Sequence, residues 1–124
     1  MSKFSVYQFH MSDAAFDKVN AVGWGGDFGE YATEVEIHRD VKFEGAENFR
    51  PEMSEYYELV ALVEARDLDD VFKVGNIGPD EAMTRVGDRM HSISIGDIIE
   101  NHETGECFMV DMTGFSQVEF LEAA

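Results

Sequence analysis

The sequence predicts a single α+β domain spanning residues 1–124, with an antiparallel or mixed β-sheet, two or three short helices and a C-terminal β-hairpin. Three observations lead there. Stretches of β-prone and aromatic residues alternate with short segments that carry helix caps and a 3–4-residue apolar spacing. Near the C-terminus two apolar runs, ISIGDII and CFMV, flank the turn sequence HETG. The chain is 44% hydrophobic with ten phenylalanines, which is enough to build one core at 124 residues.

Phe4–Met11, FSVYQFHM, reads as a first strand. Ser12 or Asp13 caps a helix running to about Val22, with Ala15, Phe16 and Val19 on its inner side. GWGGDFG (residues 23–29) lacks the Lys and Ser/Thr of a phosphate-binding loop and reads as a flexible connector with an aromatic anchor. From Tyr31 to Phe43 apolar and polar residues alternate. The segment is expected to be a half-buried strand, or a hairpin turning near Arg39-Asp40, with His38 on the polar face as an ordinary exposed histidine. Pro51 breaks the loop that follows.

Tyr56–Ala65 suits a central strand, because the next segment opens a helix of its own. There Asp67 is the N-cap and Asp70, three residues on, completes an imperfect capping box. Leu68, Val71 and Phe72 form the inner stripe and Gly75-Asn76 ends the helix. Pro79-Asp80-Glu81 opens a weaker helix with Met83, Val86 and Met90 inside; Glu81 and Asp88 are then placed to pair with Arg85 and Arg89. In the last third, Gly96 frees the backbone where the chain changes direction into Ile98-Ile99, Gly105 takes the left-handed turn position, and CFMVDM returns as partner strand. TGFSQVEF adds a final edge strand. His102 and Cys107 flank the turn, but two donors are too few for a zinc site and no third group orients a nucleophile. We assign no catalytic residue, metal ligand or cofactor.

The run from YELVALVEARDLDDVFKVGN through HSISIGDIIE to GECFMVDMTGFSQV resembles small proteins of bacteriophages and mobile elements, the YodL-like group. That group shows a strand, a helix of DLDDVF type and an S-x-G-D step into a terminal hairpin. The resemblance covers the C-terminal half; it implies a phage or plasmid origin and a non-enzymatic role, and brings no site residues with it.

Charge is the strongest functional signal. Twenty-six acids against nine Lys plus Arg give a net charge of −17, and residues 51–124 hold seventeen of those acids and four of the bases. Such a chain repels phosphates, so direct nucleic-acid binding is excluded, and its natural partner is a host protein with a basic surface. Candidate contact residues are Glu64, Asp67, Asp69, Asp70, Asp80 and Glu81. One cysteine, no signal-like apolar run and no stretch of membrane-spanning length place the expectation in the cytoplasm, away from membranes. The expected function is inhibition of a host protein, for example a nucleic-acid-handling defence complex, of anti-CRISPR or anti-restriction type, by nucleic-acid mimicry. The alternative is an acidic accessory domain that binds a protein without mimicry, and the third class is an enzyme of unknown reaction. A salt-adapted source would account for the acidity equally well, and the oligomeric state is left open.

Overall fold

Ser2–Phe9 (β1) forms the strand around which the rest of the chain is arranged. The computed structural model describes residues 1–121. The remaining elements are α1 (Asp13–Val22), α2 (Ala32–Glu44), β2 (Tyr57–Ala65), α3 (Leu68–Asn76), β3 (Met83–Arg85), β4 (Ile98–Asn101), β5 (Cys107–Val110) and β6 (Phe115–Val118). Short 3₁₀ turns occupy Gly29–Tyr31, Gly45–Asn48, Pro51–Tyr56 and Asp80–Ala82. The six strands pair in the order β3-β2-β1-β4-β5-β6. Every pairing is antiparallel, so of the two expected sheet types the mixed one is set aside.

Both sheet faces are covered. On one, Val71 and Val74 of α3 pack with Ile93 on Phe4, Val6, Val63, Ile99 and Val110. On the other, α1 and α2 contribute Ala15, Val19 and Val35 around Phe9 and Met11, while Val41 packs with Ile98, Cys107 and Met109. β2 carries a bulge: Val6 faces Ala61 but Tyr7 faces Leu59, so Val60 is the extra residue. Val60 and Ala61 therefore both enter the same core, which is why this strand shows no clean alternation.

Local signals place several elements as expected. Ser12 caps α1, its hydroxyl accepting from Ala15 N–H at 3.2 Å, and Asp67 caps α3, accepting from Asp70 N–H at 2.9 Å. Asp70 completes the box by accepting from Arg66 N–H at 3.0 Å, one residue before the cap. Gly105 turns β4 into β5 with φ 75°.

The structure corrects some other expectations. Tyr31 to Phe43 is not a strand: it is the helix α2 with its preceding 3₁₀ turn. Val35, His38 and Val41 recur every three residues along the inner side, whereas Phe43, which a strand would bury, is 72% exposed. As a helix the segment lays Val35 against Phe9 and Val41 against Ile98, covering a sheet face that would otherwise stand open. His38 is accordingly half-buried, with its ring 5.2 Å from that of Phe9, and is not an ordinary exposed histidine. The helix expected after Pro79 is also absent. Asp80–Ala82 is one 3₁₀ turn, Met83–Arg85 pairs with β2, and Val86 N–H donates to the bulge carbonyl of Val60 at 2.9 Å. Sheet pairing takes the backbone groups a helix would need, and among the described residues Glu81 and Asp88 form no ion pair with Arg85 or Arg89. The aromatic anchor of the glycine-rich connector is Phe28, which is buried, while Trp24 is exposed. Phe16 and Phe72 lie at the exposed margins of their helices, and α3 ends at Asn76, with Ile93 packed where a side chain on Gly75 would stand.

Candidate functional site

The S-x-G-D step, Ser94-Ile95-Gly96-Asp97, is where four elements meet, and its aspartate is fully buried. Asp97 Oδ2 accepts from Ser94 N–H at 2.9 Å and from the Gln8 amide at 3.1 Å, while Oδ1 faces Lys42 Nζ of α2 at 3.5 Å. Lys42 also donates to the Ser94 hydroxyl at 3.2 Å, and the Tyr57 hydroxyl donates to Gly96 O at 2.6 Å. Gly96 N–H donates to Val110 O and Val110 N–H donates to Asp97 O, which stitches the step to β5. Gly96 sits at φ +95°, with Val41 O 3.0 Å from where a Cβ would be, so both its backbone angles and its clearance require glycine.

This arrangement is architectural. A carboxylate with no solvent access and with neighbours from α2, β1 and its own turn serves to fix the chain's change of direction. Burial raises the Asp97 carboxyl above the ordinary carboxylate range, against the opposing pull of Lys42. Burial likewise pushes the Tyr57 phenol up.

Next to this joint lie three histidines from different parts of the chain. His10 and His91 stand ring to ring at 5.5 Å, and His10 Nε2 is 3.7 Å from Glu58 Oε2. His91 is held by the Gln8 side chain, which accepts from its N–H at 3.1 Å and donates to its carbonyl at 2.8 Å. Burial first, then the nearby Lys42 and His91, bring His38 down to about 4, and burial with Arg89 lowers His10 as well. Among the described residues no group of three or more His, Cys, Asp and Glu side chains is placed to hold a metal ion. His102 Nε2 lies 2.5 Å from the Ser5 hydroxyl and 4.0 Å from Glu100, and Cys107 is buried among Val41, Ile98 and Met109, with its thiol pushed up by burial.

A pH prediction arises here. His38 is harder to protonate in the folded chain (about 4) than in the unfolded chain (6.5). Its contribution to stability is complete above pH 6.5 and declines as pH falls towards 4. Acidification from pH 7 to pH 5 is expected to cost at most about 2 kcal/mol through this group, and less in proportion as solvent screens the part-exposed ring. His10 adds in the same sense, and Asp97, raised rather than lowered, acts in the opposite one. Urea unfolding at the two pH values measures the loss, and His38→Phe should flatten it.

The six carboxylates expected to contact a partner divide into three places. Glu64 and Glu81 line one shallow cavity of about 200 Å³ with Lys3 and His102. Asp67, Asp69 and Asp70 form the first turn of α3, where they also suit the helix dipole. The Arg66 backbone N–H, followed by its side chain, holds Asp70 below the ordinary carboxylate range. Asp80 stands apart at the far end of α3, in a cavity of about 280 Å³ with Arg85 and His91. Asp97 is the one described acid that is buried; the other described acids reach the surface at least in part.

The histidine group and its supports Gln8 and Lys42 were missed in the sequence because they come from β1, α2 and the loop before β4. The aspartate of S-x-G-D was their only local sign. Among the described residues no helix is long and apolar enough to cross a membrane.

No curated protein and no solved structure matches the chain. The family model of the YodL-like domain matches residues 28–120, well beyond the C-terminal half in which the sequence motifs lie. The match takes in α2 with Lys42, β2 with Tyr57, the S-x-G-D step and both terminal hairpins, and leaves β1 outside. The chain belongs to the YodL-like domain family.

Proposed function

We propose that this domain acts by binding a host protein through an acidic surface, and that it inhibits its target as a phage or mobile-element product. The observation that carries this reading is the state of the acids: they lie at the surface, and few are held in an ion pair. Asp70 has Arg66, Glu58 has His10 and Glu100 has His102, whereas among the described residues Glu64, Asp67, Asp69 and Glu81 form no ion pair. Unpaired surface carboxylates attract a basic groove, and desolvated Arg–carboxylate pairs give it grip. A groove that normally holds DNA or RNA has that character, so a nucleic-acid-handling defence complex is the target class we favour.

Replacing Asp67, Asp69 and Asp70 with Asn removes three charges and keeps side-chain size and capping ability. The variant is expected to fold, with a small loss at the start of α3, and to bind its target at least about tenfold more weakly. A target captured from host lysate should be displaced by duplex DNA, and binding by the unaltered chain should weaken as salt rises. Binding that is equal for the variant and the unaltered chain at low and high salt, or that DNA leaves untouched, overturns the mimicry reading.

A further inference from the structure

We infer that the open edge of β6 is a docking site for an extended, basic segment of a partner protein, which joins the sheet there as a seventh strand. This rests on the protein-binding reading above and says where the partner engages. Among the described residues β6 is the last strand of the sheet, with β5 on one side and no strand on the other. Val110 uses its N–H and carbonyl on Asp97 and Gly96, and Asp111 N–H donates to Gly114 O. Antiparallel alternation then turns Ser116 and Val118 towards β5 and leaves the N–H and carbonyl groups of Phe115 and Gln117 directed outwards. Edges of this kind are commonly guarded by a charge, a proline or a bulge, and Phe115-Ser116-Gln117-Val118 has none of the three.

At the Phe115 end of this edge lies a groove of about 430 Å³, bordered by Phe72, Ile95, Met112 and Phe115, with Asp69 and Asp111 on its rim and no basic side chain among its lining. Phe72 and Met112 are 38% and 66% exposed, so apolar surface is open to solvent there. Phe115 pairs with Val110, and its side chain lies on the face that α3 covers. A strand added to β6 therefore sends the side chains that lie beside Phe115 over this groove. Apolar residues at those positions meet Phe72 and Met112, and basic residues meet Asp69 and Asp111. Charge selects the occupant: a second copy would bring another −17 to the same edge, whereas a basic segment is attracted.

The probe is a synthetic peptide of alternating lysine and valine, added to the whole protein and followed by amide NMR shifts. Shifts are expected at Phe115–Val118, Phe72 and Met112. Gln117→Pro removes one outward N–H on an edge strand, where proline is tolerated, and should lower affinity about tenfold. A peptide N-methylated at alternate positions, with unchanged charge, should bind as weakly to the unaltered protein, which keeps the test valid if the proline variant does not fold. Shifts elsewhere, equal binding by the N-methylated peptide, or equal binding by an alternating glutamate–valine peptide each overturn the proposal. A dimer that Gln117→Pro dissolves would put a second copy at the edge and overturn it too. Gln117→Pro leaves every carboxylate in place. Host-target binding lost in the Asp-to-Asn variant but kept in Gln117→Pro would thus refute the docking edge alone.

Discussion

Ile98→Asp is expected to unfold the domain or come close to it. Ile98 is fully buried in β4, facing Tyr7 of β1 and Met109 of β5, with Val41 of α2 packed over it. The substitution removes a side chain whose burial contributes about 2–3 kcal/mol and puts a carboxylate in its place. No nearby group compensates that charge: Asp97 is the adjacent residue and has already engaged Lys42. The combined loss should be at least about 4 kcal/mol, against a total of about 5–15 kcal/mol for a domain of this kind. Ile98→Val, which only trims a methylene, should cost about 1 kcal/mol. Thermal melting followed by near-ultraviolet circular dichroism separates the two. An unaltered melt for Ile98→Asp would remove β4 from the core.

The second large effect is expected at Asp97. Asp97→Ala leaves the Gln8 amide and the Ser94 N–H without their acceptor, and Lys42 without its counter-charge. Breaking a buried pair from one side costs about 3–5 kcal/mol. Lys42 is 22% exposed and can turn part of its charge to water, which puts the expectation at the lower end, about 3 kcal/mol. Asp97→Asn keeps an acceptor for both N–H donors and should lose less. Lys42→Met combined with Asp97→Ala removes both charges, so the double variant should be destabilised by less than the sum of the single changes. Denaturant unfolding of the four chains measures the coupling. Strict additivity would show that Lys42 and Asp97 do not act as a pair.

The same residues explain why parts of the site were hidden. Asp97 was visible as the end of a motif, but its partners Gln8 and Lys42 lie 89 and 55 positions away in the chain, and nothing local marks either as polar and inward-facing. His38 was read as exposed because the alternation of its segment put it among charged residues. In a helix it instead shares a side with Val35 and Val41 and reaches Phe9. The six acids were legible as charge, and their division into three places was not, since that depends on how β3 and its 3₁₀ turn return beside β2.

By itself the sequence determined the elements whose signals are short-range: α1 with its Ser12 cap, α3 with its Asp67 cap, the strand at Tyr57–Ala65, and the turn at Gly105 that joins β4 to β5. Caps, turns and β-branched runs act through neighbours within a few residues, so they read the same in the linear chain as in the folded one. Tertiary structure decided the rest. Residues 31–43 satisfy both a two-residue and a helical period, and the helix wins because Val35 and Val41 are needed over Phe9 and Ile98. Met83–Arg85 became a strand because β2 offered an unpaired edge and a bulge carbonyl to an otherwise indifferent segment. Where local preference is weak or divided, the backbone adopts whichever form leaves its hydrogen bonds made and its apolar side chains covered, and that depends on residues far away in the chain.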